Sequence, residues 1–358
     1  MKYEYWFANI KGIGDKRKYD IRLRVLSARE LYYIEETGFR RLGVSKKEQD
    51  VIRESKRNWN LDKEYEKLQQ EKVHFLTRMS KDYPTKLKDI SAPPYALYVK
   101  GKLPEENAVS VAIVGARECS PYGERMAWQF SEALAGEGVQ IISGMARGVD
   151  GISQKAALTV GGNTFAVLGS GVDVCYPPEH KRLYAEIQEQ GGIISERSLG
   201  TQPLAQFFPA RNRIISGLAD VVLVIEAKER SGSLITADMA LEQGKDVYAL
   251  PGPANSRLSK GCHDLIRQGA DILISPKELL DDLGVLYKNK NKNFTENKIL
   301  LESRENMVYS CLDFEPKNLG QISMITNLTI PVLLNILFDL ELKGYIQEVS
   351  KNYYIKLK

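Results

Sequence analysis

The chain has 358 residues, 43% of them hydrophobic and 27% charged, with four cysteines, three histidines and a formal net charge of +4. That length suits two or three domains and a sizeable core. The apolar runs are too short to cross a bilayer, and the N-terminal MKYEYWFANIKG lacks the apolar centre of a secretory signal, so a cytoplasmic, non-membrane protein is expected. Cys119, Cys175, Cys262 and Cys311 form no CxxC pair, which points to reduced thiols and no metal site.

Residues 1–75 carry a net charge of +5, residues 296–358 carry −1, and those between sum to zero. Phosphate binding by the central part therefore has to come from a local cluster of arginines and backbone amides.

Residues 1–78 read as a small helical domain of the helix-hairpin-helix kind. Its IKGIGDKRKYD segment admits two readings: a glycine turn (Gly12, Gly14) whose amides grip a DNA phosphate, or a tight helix–helix turn and nothing more. Residues 79–286 alternate strand and helix. After a Pro- and Tyr-rich connector, ALYVKG gives an extra edge strand. Strands are expected near 109–114, 139–143, 164–168, 192–195, 221–226, 247–250 and 272–274. This is the pattern of an α/β fold with a doubly wound, mostly parallel sheet. Residues 287–297 have the Lys/Asn composition of a solvated linker. Residues 298–358 read as three helices and a hairpin, a winged-helix order. Its third helix, PVLLNILFDLELK, is apolar and acidic, which favours a protein contact or accessory role over base reading.

Glycines and arginines gather where the predicted strands end: Gly115 and Arg117, Ser143, Gly144 and Arg147, Gly169–Gly171, then Pro209-Ala210-Arg211-Asn212-Arg213, with RSGSLITA as a possible fifth cluster. In open α/β sheets ligands bind outside the carboxyl ends of the strands, and these residue types favour an anion. Phe207 and Phe208 could stack on a base, or be core; one arginine of the fourth cluster could instead pair with Asp220 or Glu226. Asp150 and Asp173 read as braces of glycine turns rather than an acid/base pair. There is no G-x-x-x-x-G-K-[ST], no G-x-G-x-x-G and no nucleophile elbow, so neither a catalytic residue nor a cofactor is expected.

The runs VAIVGAR, IISGMARGVDGISQKAAL, FAVLGSGVDVCYPPEHKRL, FPARNRIISGL, RSGSLITADMALEQGKDVYALPG and SKGCHDLIRQGA, in this order over residues 80–285, resemble the DNA processing protein A family (DprA/Smf). The resemblance implies an extended Rossmann fold, flanked by a small sterile-alpha-motif or hairpin-type helical domain and a winged helix, and a DNA-binding recombination mediator rather than an enzyme. Such a protein shields incoming single-stranded DNA during natural transformation and loads the RecA recombinase, displacing single-strand-binding protein. It also implies a DNA pocket at Gly115, Arg117, Ser143, Gly144, Arg211, Asn212 and Arg213, to which the residues' own chemistry adds Arg147 and Phe208 as DNA-binding candidates. A homodimer through the late Rossmann region is implied too, with His263, Leu265 and Ile272 as interface candidates and RecA contacts near SLITADMALEQG. One departure is Pro178, where many members carry lysine; Lys181 or Arg182 is the candidate replacement.

Two other classes compete. One is a nucleotide-monophosphate hydrolase of the phosphoribohydrolase type, whose PGGxGT loop is replaced here by ERSGSLITA. The other is an adaptor acting through its winged helix, which would not need Arg117 and Arg211–Arg213 together.

Overall fold

A computed structural model describes residues 1–285, 303–313 and 316–357. The expected linker at 287–297 lies outside the described residues. The chain divides into two compact units, 1–286 and 287–358.

The larger unit is built on one nine-stranded sheet. Its strands are β1 (His74–Thr77), β2 (Ala96–Gly101), β3 (Ser110–Gly115), β4 (Gln140–Ser143), β5 (Thr164–Val167), β6 (Gly192–Ser195), β7 (Val221–Glu226), β8 (Val247–Ala249) and β9 (Asp271–Ile272). They lie in the order β1-β2-β6-β5-β4-β3-β7-β8-β9. From β6 to β9 every pairing is parallel; β1 and β2 add an antiparallel flank. The expected central strands are thus found in place. ALYVKG is not the edge, however: β1 pairs outside it, His74 opposite Val99. β3 to β7 read as unbroken apolar runs because helices cover both faces of a parallel sheet. All six residues of β7, for instance, are buried.

The expected boundary at 78/79 is not a boundary between compact units. β1 belongs to the sheet although it precedes residue 78, and the N-terminal helices share its core. Tyr5 packs edge-on against Phe75 at 5.3 Å between ring centroids, Phe7 against Tyr95 at 5.6 Å, and Tyr98 donates to Asn9 Oδ1 at 3.0 Å. Trp6 and Phe7 are fully buried, each such side chain contributing about 2 to 3 kcal/mol of burial. Separating the helical region from the sheet would expose this aromatic layer.

Strand order reverses at β3: β4, β5 and β6 lie to one side, and β7 and β8 to the other. The crevice at the carboxyl ends of β3 and β7 is the usual ligand position of such a sheet.

The smaller unit holds helices Ser303–Cys311, Leu319–Thr326 and Ile330–Leu342 and a three-stranded antiparallel sheet of β10 (Lys317–Asn318), β11 (Ile346–Ser350) and β12 (Tyr353–Lys356), in the order β10-β12-β11. Val308, Ile322, Leu333, Leu337 and Leu340 fill its core. Among the described residues no single helix is long and apolar enough to cross a membrane.

Candidate nucleic-acid interface

A cleft of about 700 Å³ opens at the crevice between β3 and β7. Gly115 and Arg117 form one wall, Phe208 and Pro209 another, and Lys228, Arg230 and Ser231, which follow β7, a third. A narrow extension of about 40 Å³ runs under Arg117 between Gly144, Arg147, Tyr176 and Phe208. Each wall is delivered by a strand that ends abruptly. Past β3, a tight approach closes the floor: Val149 N donates to Ala116 O at 3.1 Å, and a Cβ on Gly148, whose φ is +68°, would meet the Ala116 carbonyl at 2.2 Å. Only glycine gives that turn both its backbone and its clearance.

The charges on this cleft fall into two groups. Arg117, Lys228 and Arg230 are exposed and make no ion pair among the described residues. The Arg117 guanidinium stands 5.6 Å from the centre of the Phe208 ring, and Phe208 packs tilted against the 39%-exposed Tyr176 at 5.5 Å. Free cations beside aromatic faces are what phosphate and base each need. Arg147 is exposed too, but its Nε pairs with the Glu179 carboxylate.

Arg211 is the opposite case. It is 4% exposed and forms part of the floor, donating to the Gly144 carbonyl at 2.9 Å and to the Val167 carbonyl. Burial brings its pKa down to about 10, although Asp150 pulls it up. Burial likewise pushes the Asp150 carboxyl up, against Arg211 and the Gly144 and Ala146 amides, which hold it down. The two form a buried electrostatic pair that ties the ends of β4 and β5 together.

The remaining expected site residues separate in the same way. Ser143 is buried and donates to Ile113 O at 2.6 Å; the Gly144 amide is spent on Asp150 at 3.1 Å. Asn212 is buried and donates to Gly232 O at 3.1 Å, which sets the loop after β7. Arg213 points away from the cleft to Glu196 (2.5 Å) and Ala92 O (2.7 Å), so its partner is Glu196, not Asp220 or Glu226. Asp220 instead holds Lys86 at 2.7 Å, and Glu226 accepts from Ser120 Oγ at 2.6 Å. Lys181 is exposed at the start of the helix Lys181–Gln190, but it does not line the cleft. Asp173 braces a turn, as expected, accepting from Gly200 N at 2.9 and 2.8 Å.

The cleft thus keeps Gly115, Arg117 and Phe208 as lining groups and Arg147 on its extension. Arg211 and Asn212 also line the cleft, and Gly144 and Arg211 its extension, but like the buried Ser143 they spend their hydrogen bonds within the protein. Lys228 and Tyr176 were not anticipated, and Arg230 was anticipated only as the first residue of a possible cluster. Their signal was position: Lys228 and Arg230 come directly after the VVLVIEA run.

Of the dimer candidates, Leu265 is 4% exposed and belongs to the chain's own core, because the helix Lys260–Arg267 turns it under β8. The His263 ring meets Gly252 O at 2.9 Å. Ile272 is 56% exposed on the edge strand β9, with Ile274 68% exposed beyond it.

The family model for DNA recombination-mediator protein A matches residues 74–284. The chain is 49% identical over 217 residues to Protein Smf of Escherichia coli, covering 60% of this chain and 58% of that one. It is 37% identical over 294 residues to Protein Smf of Synechocystis, covering 79% and 73%. In structure it is similar to DNA processing protein A from Streptococcus pneumoniae, with a TM-score of 0.68, 34% identity and coverage of 79% and 98%. It is also similar to the Helicobacter pylori protein described for its single-stranded DNA binding mode, with a TM-score of 0.54, 30% identity and coverage of 60% and 97%.

Proposed function

Because the chain belongs to the DNA recombination-mediator protein A family, we propose that it binds single-stranded DNA in the cleft between β3 and β7, without catalysing a reaction on it. The observation that carries this reading is the set of three exposed cations, Arg117, Lys228 and Arg230, without an ion pair among the described residues and ranged around an aromatic wall of Phe208 and Tyr176.

The roles divide by chemistry. Arg117, Lys228 and Arg230 neutralise successive phosphates, each adding about 0.7 to the salt slope on a single strand. Phe208 and Tyr176 offer π-faces to a base, worth about 1 to 3 kcal/mol per stacked base. A paired base has to leave its stack to reach them, at a cost of a few kcal/mol, which gives the preference for single strands. Arg211 and Asp150 hold the floor rigid and contact no DNA. Glu118, which also lines the cleft, lowers its net positive charge.

In this reading the protein works in the cytoplasm as a recombination mediator, coating incoming strands during natural transformation and handing them to RecA. A homodimer joined along the β9 edge, where Ile272 is exposed, would place two clefts on one strand and raise its effective concentration. The C-terminal unit is read as a winged helix that contacts protein.

The test is an anisotropy competition in which unlabelled single-stranded and duplex oligonucleotides of one sequence displace a labelled single strand. The single strand should compete far better, and Arg117→Ala should weaken both labelled and competing complexes. Equal competition by duplex would overturn the reading. RecA assembly on strand precoated with single-strand-binding protein checks the loading role; assembly no faster with the protein would remove it.

A further inference from the structure

On the other side of the helix Phe207–Leu218 lie two grooves that the strand-end cleft does not use. One, of about 550 Å³, is lined by Asn9, Lys11, Arg197, Leu204 and Phe207 among others; the second, of about 1100 Å³, runs past the Gly12–Gly14 turn to Arg78 and Lys88. Lys11, Lys18 and Arg197 line both, so the two are continuous.

The lining of the larger groove has seven cationic side chains against three carboxylates. Of the carboxylates, Glu196 is already taken by Arg213 at 2.5 Å and Arg197 at 3.1 Å. Lys11 and Lys16 are exposed, Lys88 half-buried, and none of the three has an ion pair among the described residues. Two of the arginines are stacked on rings: Arg197 lies 4.2 Å over Phe207 and Arg78 3.8 Å over Tyr19. Such pairs present a flat cationic face, suited to a phosphate and its base together.

Continuity with the first cleft decides the occupant. Phe208 lines the strand-end cleft and Phe207, its neighbour in the chain, lines the groove. Residues 202–208 alternate between the two, Pro203, Ala205 and Phe208 lining the cleft and Gln202, Leu204 and Phe207 the groove, so a strand leaving one crosses a single short segment to reach the other. We propose that the groove beside the Gly12–Gly14 turn is a second single-stranded DNA site, in which Lys11, Lys16 and Lys88 hold the backbone of the strand that leaves the Phe208 cleft. The inference rests on the reading of that cleft as a DNA site and extends it to the N-terminal helices.

The test compares two oligothymidylates on the full-length protein, one of about 6 nucleotides, enough for one cleft, and one of about 20, enough to pass from cleft to groove. Lys11→Glu/Lys16→Glu changes exposed side chains only. It should leave the short strand's affinity unchanged, weaken the long strand about tenfold and lower its salt slope by about 1.4. Lys11→Arg/Lys16→Arg should keep both values. If the charge reversal leaves the long strand's affinity and slope as they were while Arg117→Ala still weakens short-strand binding, the second site is wrong and the cleft stands. If wild type binds neither strand, both fall together. A groove that serves an acidic protein partner gives the first of these negative results.

Discussion

A Cβ added to Gly144 would sit 2.6 Å from Nη2 of Arg211, whose Nη1 donates to the Gly144 carbonyl at 2.9 Å. Glycine at this strand end is therefore room for a guanidinium, not an open amide for a ligand.

Substitutions here should read as folding defects. Gly144→Ala should cost about 1 to 3 kcal/mol by overpacking. Arg211→Ala should cost about 3 kcal/mol, because two carbonyls lose their buried donor and the buried Asp150 loses its compensating charge. Urea unfolding measures both. If Arg211→Ala instead retains full stability and loses only DNA affinity, the scaffold assignment fails.

Phe208→Leu keeps an apolar side chain but removes the ring under Arg117 and beside Tyr176. Loss of one stacked base predicts about tenfold weaker binding of a single strand. Phe208→Tyr should bind like wild type. Equal affinity of the Leu variant would mean that no base rests on this wall.

The N-terminal region carries a measurable acid dependence. Glu48 accepts from Arg17 Nε at 2.7 Å and from the Ser45 amide at 2.8 Å. Arg17 above all pulls its carboxyl down to about 2 from 4.5. A carboxyl lowered in the folded state stabilises the fold above 4.5, and that stability disappears as pH falls toward 2. Glu48→Gln should therefore be about 1 kcal/mol less stable at neutral pH, after allowance for solvent screening. The gap should close between pH 4.5 and 2, read from urea midpoints. A gap independent of pH would assign the loss to shape alone.

Ile272 and Ile274 leave an apolar edge on β9. Ile272→Asp should convert a dimer to a monomer in sedimentation while the melting temperature of the monomer stays unchanged. Leu265→Asp, by contrast, should unfold the chain, since Leu265 is core. A wild type that sediments as a monomer removes the dimer from the account.

What the sequence made legible follows from which forces act locally. β3 to β7 are runs of apolar and β-branched residues cut off by glycine or a polar residue, and such runs have few alternatives to a buried parallel strand. The direction of a side chain on a helix is another matter. Arg211 and Arg213 are two residues apart, so they leave their helix on different sides, and only the placement of that helix on the sheet decides that Arg211 goes under Gly144 and Arg213 to Glu196. The motif PARNR announced charge correctly and its destination not at all. Lys228 carries no motif and Arg230 only opens RSGSLITA; both matter because the order of strands puts β7 beside β3, a long-range fact. The same holds for β1, four residues whose strand character comes from pairing with β2 rather than from their own pattern.

The central claim is that exposed cations at the ends of β3 and β7, not the buried Arg211, hold single-stranded DNA. Salt titration of a labelled single strand, wild type beside Arg117→Ala/Lys228→Ala/Arg230→Ala, measures it. A steep wild-type slope should fall by about 2 in the triple variant, with a large loss of affinity and unaltered thermal stability. An unchanged slope and affinity in a folded triple variant would contradict it and move the DNA elsewhere on the molecule.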